Sequence, residues 1–185
     1  MTITYADQDI ETLSNQEWME YKKHPVYGFS AVKDEHWISD IGKKIILCHH
    51  EQMDGMGFPL RMRGKDIPLE AKIVSVCDTF DEMICGIGCK RQKVYKAVEY
   101  LKTFRGVKFD TKVVDAFLEF TAVYPAGSQV YLSDGSVGRV IRQNKEFPDR
   151  PVIQILKDSN GNVMTKETLV DLIKINHIFV EKVLE

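Results

Sequence analysis

The spacing of apolar residues changes once along the chain, at Tyr124-Pro125-Ala126-Gly127. Before this point apolar residues recur at the intervals of amphipathic helices. After it the chain has short β-type runs separated by turn dipeptides. The sequence therefore predicts a mainly α fold, with a helical domain over residues 1–123 and a small β-rich domain over residues 124–185.

Local signals indicate where the helices begin and break. Ser14-Asn15-Gln16-Glu17 is a capping box, in which a hydroxyl and a carboxylate bind free amides of a new helix. Pro25 disfavours helical angles at His24 but suits a first helical turn, so a break or kink is expected there. Later helices are predicted from Ser39 or Asp40, from Pro68, through Val94–Leu101 and through Val113–Phe120.

The C-terminal segment has the pattern of a small antiparallel sheet. Asp134-Gly135 and Asn160-Gly161 lie between β-type runs, and such dipeptides supply the positive φ angles of tight hairpins. A β-barrel or β-meander of about 60 residues is marginal alone, so we expect it to dock on the helical part. The predicted strands are Gln129–Leu132, Val137–Arg142, Val152–Leu156 and Leu169–Ile175.

Composition excludes several classes of function. With 185 residues, 44% hydrophobic residues and a net charge of -2, the chain resembles an ordinary globular protein without a broad basic face. We therefore expect neither a nucleic-acid polymer as partner nor membrane insertion, since no apolar run approaches the ~20 residues that a bilayer requires. The N-terminus lacks the pattern of a signal peptide, which predicts a cytoplasmic location and reduced thiols for the four cysteines.

The chemistry-bearing residues concentrate in His49-His50-Glu51-Gln52-Met53-Asp54-Gly55-Met56-Gly57-Phe58-Pro59. Imidazoles suit borderline divalent metals and carboxylates suit harder ones, so this cluster is a candidate hydrolytic metal site. His24 and Asp78 are added to it. Alone, a histidine beside a proline is usually structural and an aspartate on a helix is usually solvated or capping. Together with the histidine pair, they form the ligand set that a dinuclear centre needs.

Three ordered motifs resemble those of the HD-GYP subgroup of HD-domain metal-dependent phosphohydrolases. His24-Pro25-Val26-Tyr27-Gly28 looks like the family's His-Pro-x-x-Gly element. The run from His49 to Pro59 looks like its His-His-Glu-x-x-Asp-Gly-x-Gly-Tyr-Pro element. Ile67–Asp81 looks like the segment whose aspartate completes the metal site. The resemblance covers roughly residues 13–120.

The resemblance implies an HD-domain-like helical bundle around two or three divalent metals, often iron or manganese, and hydrolysis of the bacterial second messenger cyclic di-GMP. It implies that the metal ligands are His24, His49, His50 and Asp78. It implies that the loop beside the site is shaped by Asp54, Gly57, Phe58 and Pro59. Lys90 or Arg91 is a candidate phosphate contact, with solvated surface charge as the alternative.

The sequence departs from the family at its name-giving motif. A His-Asp pair with a lysine is expected upstream of His24, but none of the 23 preceding residues is a histidine. Ser39-Asp40-Ile41-Gly42-Lys43 imitates that motif on the wrong side of His24. Phe58 replaces the tyrosine of the family name.

These departures predict an N-terminally truncated domain that holds metal weakly and hydrolyses cyclic di-GMP with impaired activity. The alternative is an inactive module in cyclic di-GMP signalling, which binds a nucleotide, signalling proteins or further copies of itself. A third interpretation, histidines packed in a helical core without metal, is disfavoured by the retention of His24, His49, His50 and Asp78 together.

Overall fold

The computed structural model describes residues 10–145 and 147–184. The chain divides into two compact units, Met1–Phe117 and Leu118–Glu185. A helical part followed by a small antiparallel sheet confirms the predicted fold class, whereas the domain boundary after residue 123 stays a prediction. Within the described part of the chain, no helix is both long enough and apolar enough to cross a membrane.

The helices begin close to the predicted signals. The Ser14 hydroxyl accepts a hydrogen bond from the Glu17 amide and the Glu17 carboxylate accepts one from the Ser14 amide, which completes the capping box. The Ser39 hydroxyl accepts a hydrogen bond from the Gly42 amide in the same way. The helices are α1 (Asn15–Tyr21), α2 (His24–Val32), α3 (Asp40–Cys48), α4 (Leu69–Cys85), α5 (Val94–Thr103) and α6 (Thr111–Phe120).

Successive helices of the first unit pack against one another: α2 on α3, α3 on α4, and α4 on α5. Val76 of α4 and Leu101 of α5 are fully buried. The rings of Phe80 and Phe117 meet edge to face at 5.1 Å between centroids. This packing fixes α2 and α3 relative to each other, and those two helices carry the histidines of the site.

The second unit contains one five-stranded antiparallel sheet in the order β4-β3-β2-β1-β5. Its first four strands form the predicted meander, and β5 returns to pair with β1. Val130, Val140 and Ile153 are buried in this unit. The strands are β1 (Gln129–Leu132), β2 (Val137–Arg142), β3 (Val152–Lys157), β4 (Leu169–Asp171) and β5 (Val180–Val183).

The strand β4 is shorter than predicted, because the chain turns at Asp171. The Asp171 carboxylate accepts a hydrogen bond from the Ile173 amide, and its carbonyl accepts one from the Lys174 amide. An aspartate that binds the backbone two residues ahead forms a turn and ends a strand. The apolar run from Leu169 to Ile175 therefore continues past the sheet as a turn.

Candidate metal centre

Two neighbouring helices bring three histidines together. α2 begins at His24, and His49 is the C-terminal cap of α3, with His50 directly after it. The Nε2 atom of His24 lies 3.3 Å from Nε2 of His49 and 3.0 Å from Nε2 of His50. One ligand atom from each of the three rings lies within 4.8 Å of the other two.

The backbone fixes the proton positions on two of these rings. His24 Nδ1 lies 2.8 Å from the Tyr21 carbonyl oxygen, and His49 Nδ1 lies 2.9 Å from the Ile46 carbonyl oxygen. A carbonyl oxygen only accepts, so each Nδ1 carries the proton and donates it. In a neutral ring, Nε2 is then the lone-pair atom. When both rings are neutral, the Nε2 lone pairs of His24 and His49 are 3.3 Å apart and available to one cation.

A divalent cation suits this arrangement. Metal–nitrogen bonds of about 2.0–2.1 Å hold neighbouring ligand atoms about 3 Å apart. The Nε2 separations of 3.0 and 3.3 Å agree with that spacing. Binding His24 and His49 through Nε2 while Nδ1 donates to a carbonyl is also the usual second-shell arrangement of metal-bound histidine. The three rings therefore fit a shared cation.

Burial keeps two of the rings in the neutral form that a metal requires. Burial lowers the pKa of His24 below its ordinary value. Burial, together with the neighbouring His49 and His24, lowers the pKa of His50 to about 2. Metals compete with protons for the same lone pair, so a ring that resists protonation is a readier ligand.

Asp78, the fourth predicted ligand, stands apart from the histidines. Among the residues that the structure describes, the ligand atoms of His24, His49 and His50 all lie within 4.8 Å of one another. Asp78 is not part of this group. Burial raises the pKa of the Asp78 carboxyl, while the nearby His49 and His24 lower it. Asp78 therefore belongs to the electrostatic surroundings of the histidines, and its role as a ligand stays a prediction.

Glu82 is a buried acid that the sequence did not single out. It lies one helical turn after Asp78 on α4, and burial together with Asp78 and Asp81 raises the pKa of its carboxyl to about 7. Burial also raises the pKa of the Tyr21 hydroxyl, and the neighbouring carboxylates Glu82 and Asp78 raise it further. The i, i+4 spacing from Asp78 along a predicted helix was the available signal for this position.

This carboxyl should make the stability of the metal-free chain depend on pH. Its folded pKa of about 7 exceeds the ordinary 4.5, so the folded state holds the proton more tightly and stability is lost as pH rises through 7. Between about pH 5 and about pH 8, we expect the unfolding free energy of the wild-type chain to fall by on the order of 1–2 kcal/mol more than that of Glu82→Gln. Urea unfolding in chelator measures this difference.

Glu99→Gln is the matched control for this prediction, since Glu99 is exposed on α5. It should keep the pH dependence of the wild-type chain. The same slope of stability against pH in Glu82→Gln and wild type would contradict the prediction.

Glu51 anchors the loop that follows the histidines. Its side chain is only 2% exposed. One carboxylate oxygen accepts a hydrogen bond of 2.6 Å from the Leu60 amide, and the other accepts one of 2.8 Å from the Met62 amide. A buried carboxylate with both oxygens bonded ties two distant parts of a loop together. The sequence placed Glu51 inside the motif without revealing this anchoring role.

The predicted loop residues surround the histidines in different ways. The Asp54 carboxylate accepts a hydrogen bond from the Met56 amide and turns the chain. Gly57 is buried, and the following Phe58 donates its amide to the His50 carbonyl oxygen at 3.2 Å. The Phe58 ring stacks on the His50 ring at 4.7 Å between centroids. The peptide bond from Phe58 to Pro59 is cis.

Aromatic side chains of α1 extend the wall that Phe58 begins. The Tyr21 ring lies 4.9 Å from the His24 ring between centroids, and the Trp18 ring stacks on Tyr21 at 5.3 Å. Phe58 meets Trp18 edge to face at 6.3 Å. We call Trp18, Tyr21 and Phe58 the aromatic wall. None of the three motifs includes Trp18 or Tyr21, although their closeness to His24 in the chain was an available signal.

The two basic candidates lie in the loop after α4. Lys90 and Arg91 are both exposed. Arg91 donates from Nε to the Ile84 carbonyl oxygen at 3.0 Å, so its guanidinium helps to fold this loop onto the end of α4. A phosphate contact by either residue stays a prediction.

Three imidazoles that converge within a helical bundle form a site that could hold a metal ion. Residues 4–113 match the family described as the HD domain, and residues 129–185 match a KOW domain associated with HD domain. The first match spans more than half of the chain. The chain therefore belongs to the HD domain family, in agreement with the predicted resemblance.

Two relatives with named activities support the same placement. The chain is 27% identical over 161 residues to a cyclic di-GMP phosphodiesterase of Pseudomonas aeruginosa, covering 86% of this chain and 39% of that protein. It is 37% identical over 108 residues to the cyclic di-GMP phosphodiesterase response regulator RpfG of Xanthomonas campestris, covering 57% of this chain and 29% of that protein. The chain thus spans well under half the length of either relative.

A solved structure has the same fold over much of the chain. It is described as an HDG"Y"P protein from Bdellovibrio bacteriovorus and superposes with a TM-score of 0.52 at 24% identity. The superposition covers 62% of this chain and 36% of that protein. At this level of identity the likeness supports the fold alone.

Proposed function

We propose that this chain is a metal-dependent phosphohydrolase of the HD-GYP type that acts on cyclic di-GMP. The observation that carries the proposal is the pair of opposed Nε2 lone pairs on His24 and His49, joined by Nε2 of His50. Relatives named cyclic di-GMP phosphodiesterases, similar over this part of the chain, support the choice of substrate.

Each residue of the site has a distinct role in this proposal. His24, His49 and His50 hold divalent metal through Nε2, and Asp78 supplies negative charge beside them. Mixed imidazole and carboxylate donors suit iron or manganese. Such ions, when bound, polarise a phosphodiester and make a water nucleophile available at neutral pH. The Phe58 ring covers one side of His50 and limits water there.

We further propose that metal retention and turnover are both low in this chain. Three histidines and one aspartate are fewer donors than two or three ions need. A weakly held ion still binds phosphate. The same observation therefore favours a second candidate function, a module that binds cyclic di-GMP or a signalling partner without hydrolysing it.

His50→Ala tests the enzymatic proposal. We expect the purified wild-type chain to contain iron or manganese at less than one ion per chain and to hydrolyse cyclic di-GMP slowly. His50→Ala should lose both, because it removes one of three converging ligands. Elemental analysis and separation of linear nucleotide products on a column measure the two quantities on the same sample.

His36→Ala is the matched control, since His36 is exposed in the turn between α2 and α3. It should keep the metal content and turnover of the wild-type chain. Unchanged metal in His50→Ala would place the ion elsewhere and defeat the proposal. Metal and nucleotide binding without detectable products would favour the second candidate function instead.

A further inference from the structure

We propose that Trp18 and Lys22 bind one nucleotide unit of the substrate: the flexible Lys22 ammonium, which lies over the Trp18 ring, moves to a phosphate, and the purine stacks on the ring in its place. This inference rests on the proposed function and names residues of α1 to which neither the motifs nor the comparisons assign a role. The aromatic wall then binds the substrate in addition to packing against the histidines.

The aromatic wall connects Trp18 to the candidate metal ligands by direct ring contacts. Phe58 touches both Trp18, at 6.3 Å between centroids, and His50, at 4.7 Å. Tyr21 stacks nearly parallel on Trp18, with 10° between the ring planes, and also lies beside His24. A phosphodiester held at the histidines therefore has its attached nucleoside within reach of α1.

Open space adjoins the Trp18 ring. A cavity of about 300 Å³ is lined by Ile10, Leu13, Asn15 and Trp18. Its apolar walls and one aromatic ring suit a planar nucleobase, because every base offers a π face for stacking. The Asn15 amide can both donate and accept, which matches the mixed donors and acceptors at the edge of a purine. Stacking and edge contacts are thus available in one place.

Lys22 supplies positive charge on the same surface. Its Nζ lies 4.9 Å from the Trp18 ring centroid and 5.8 Å from that of Phe58. Among the described residues, Lys22 forms no ion pair with a carboxylate, whereas its neighbour Lys23 forms one with Glu20 at 2.8 Å. An ammonium held by rings and unpaired with an acid remains available to a phosphate.

The chain contains two tryptophans, which permits a direct optical test. In Trp37→Phe all indole emission comes from Trp18, and we expect cyclic di-GMP to quench it saturably when the as-purified protein is mixed in a stopped-flow instrument. In Trp18→Phe only Trp37 remains, which is 80% exposed, and we expect no quenching. Equal quenching in both variants would overturn the inference.

Calorimetric titration with cyclic di-GMP measures the strength of the contacts. Losing one base-stacking contact typically weakens affinity tenfold or more, so Trp18→Ala should bind cyclic di-GMP roughly tenfold more weakly. Trp18→Phe keeps an aromatic ring and should recover most of this loss. Lys22→Gln should weaken binding and reduce its salt dependence. Lys23→Gln should bind like the wild-type chain.

The outcomes separate this inference from the proposed function. If Trp18→Ala and Lys22→Gln bind like the wild-type chain while His50→Ala loses turnover, the inference fails and the proposed function stands. A wild-type chain that binds no cyclic di-GMP overturns both. Lys22→Gln keeps the test decisive if Trp18→Ala disturbs α1, since it leaves the aromatic rings in place.

Discussion

Manganese added to the metal-free chain is expected to raise its unfolding temperature, and His24→Ala is expected to abolish that rise. An ion at 100 times its dissociation constant stabilises a folded protein by about 2.7 kcal/mol. For a chain of this size that corresponds to a shift of roughly 5–10 °C. His24 is the informative position because its Nε2 is the atom nearest to both other histidines.

The physical reason for metal binding lies in the geometry of the apo site. Packing of α2 on α3, and the two backbone carbonyls that hold Nδ1, force the Nε2 lone pairs of His24 and His49 towards each other. A cation between the rings binds both lone pairs. His24→Ala removes one of the converging ligands, so the part of the stability that depends on manganese should be lost.

Differential scanning fluorimetry over a range of manganese concentrations, after dialysis against chelator, measures the shift. His36→Ala serves again as a control and should respond like the wild-type chain. A shift in His24→Ala as large as that of the wild-type chain would show that the stabilising ion binds at another place. Repeating the titration with iron under anaerobic conditions ranks the two metals at the same site.

Much of the fold was predictable because its signals are local. The hydroxyl caps at Ser14 and Ser39, the break at Pro25 and the turn at Asp134-Gly135 each depend on residues within a few positions of one another. Such features are present in the sequence and do not depend on tertiary packing. The fifth strand, Val180–Val183, was missed, since its pairing with β1 joins segments far apart in the chain.

The site was predictable in its residue types but not in its geometry. Three motifs brought His24, His49 and His50 into one hypothesis, and the structure places their ligand atoms together. Whether Asp78 approaches them closely enough to share an ion depends on how α4 packs, which residue spacing does not determine. Glu51 was missed for a related reason: its partners, the amides of Leu60 and Met62, are backbone groups that carry no residue-type signal.

Gly57→Ala is expected to disorganise the loop and thereby the site. A Cβ atom at this position would lie within 2.6 Å of three backbone atoms: the Gln52 nitrogen, the His50 oxygen and the Glu51 Cα. Backbone atoms cannot rotate away as a side chain can, so the loop itself must move. Overpacking of this kind costs about 1–3 kcal/mol, and occasionally more.

The consequence should reach the metal because the clash falls on the segment that positions a ligand. The His50 carbonyl oxygen accepts the Phe58 amide, and the Phe58 ring stacks on the His50 ring. If the loop moves, both contacts weaken and His50 loses its orientation. We therefore expect Gly57→Ala to lower the unfolding free energy by about 3 kcal/mol and to reduce the manganese-induced thermal shift by more than half.

Met56→Ala separates this effect from ordinary loss of a loop side chain, because Met56 is the preceding residue and is 75% exposed. It should retain both the stability and the manganese response of the wild-type chain. If Gly57→Ala lost stability yet kept the full manganese response, the close approach at Gly57 would serve folding alone. The orientation of His50 would then depend on the preceding helix α3 and not on the loop that follows it.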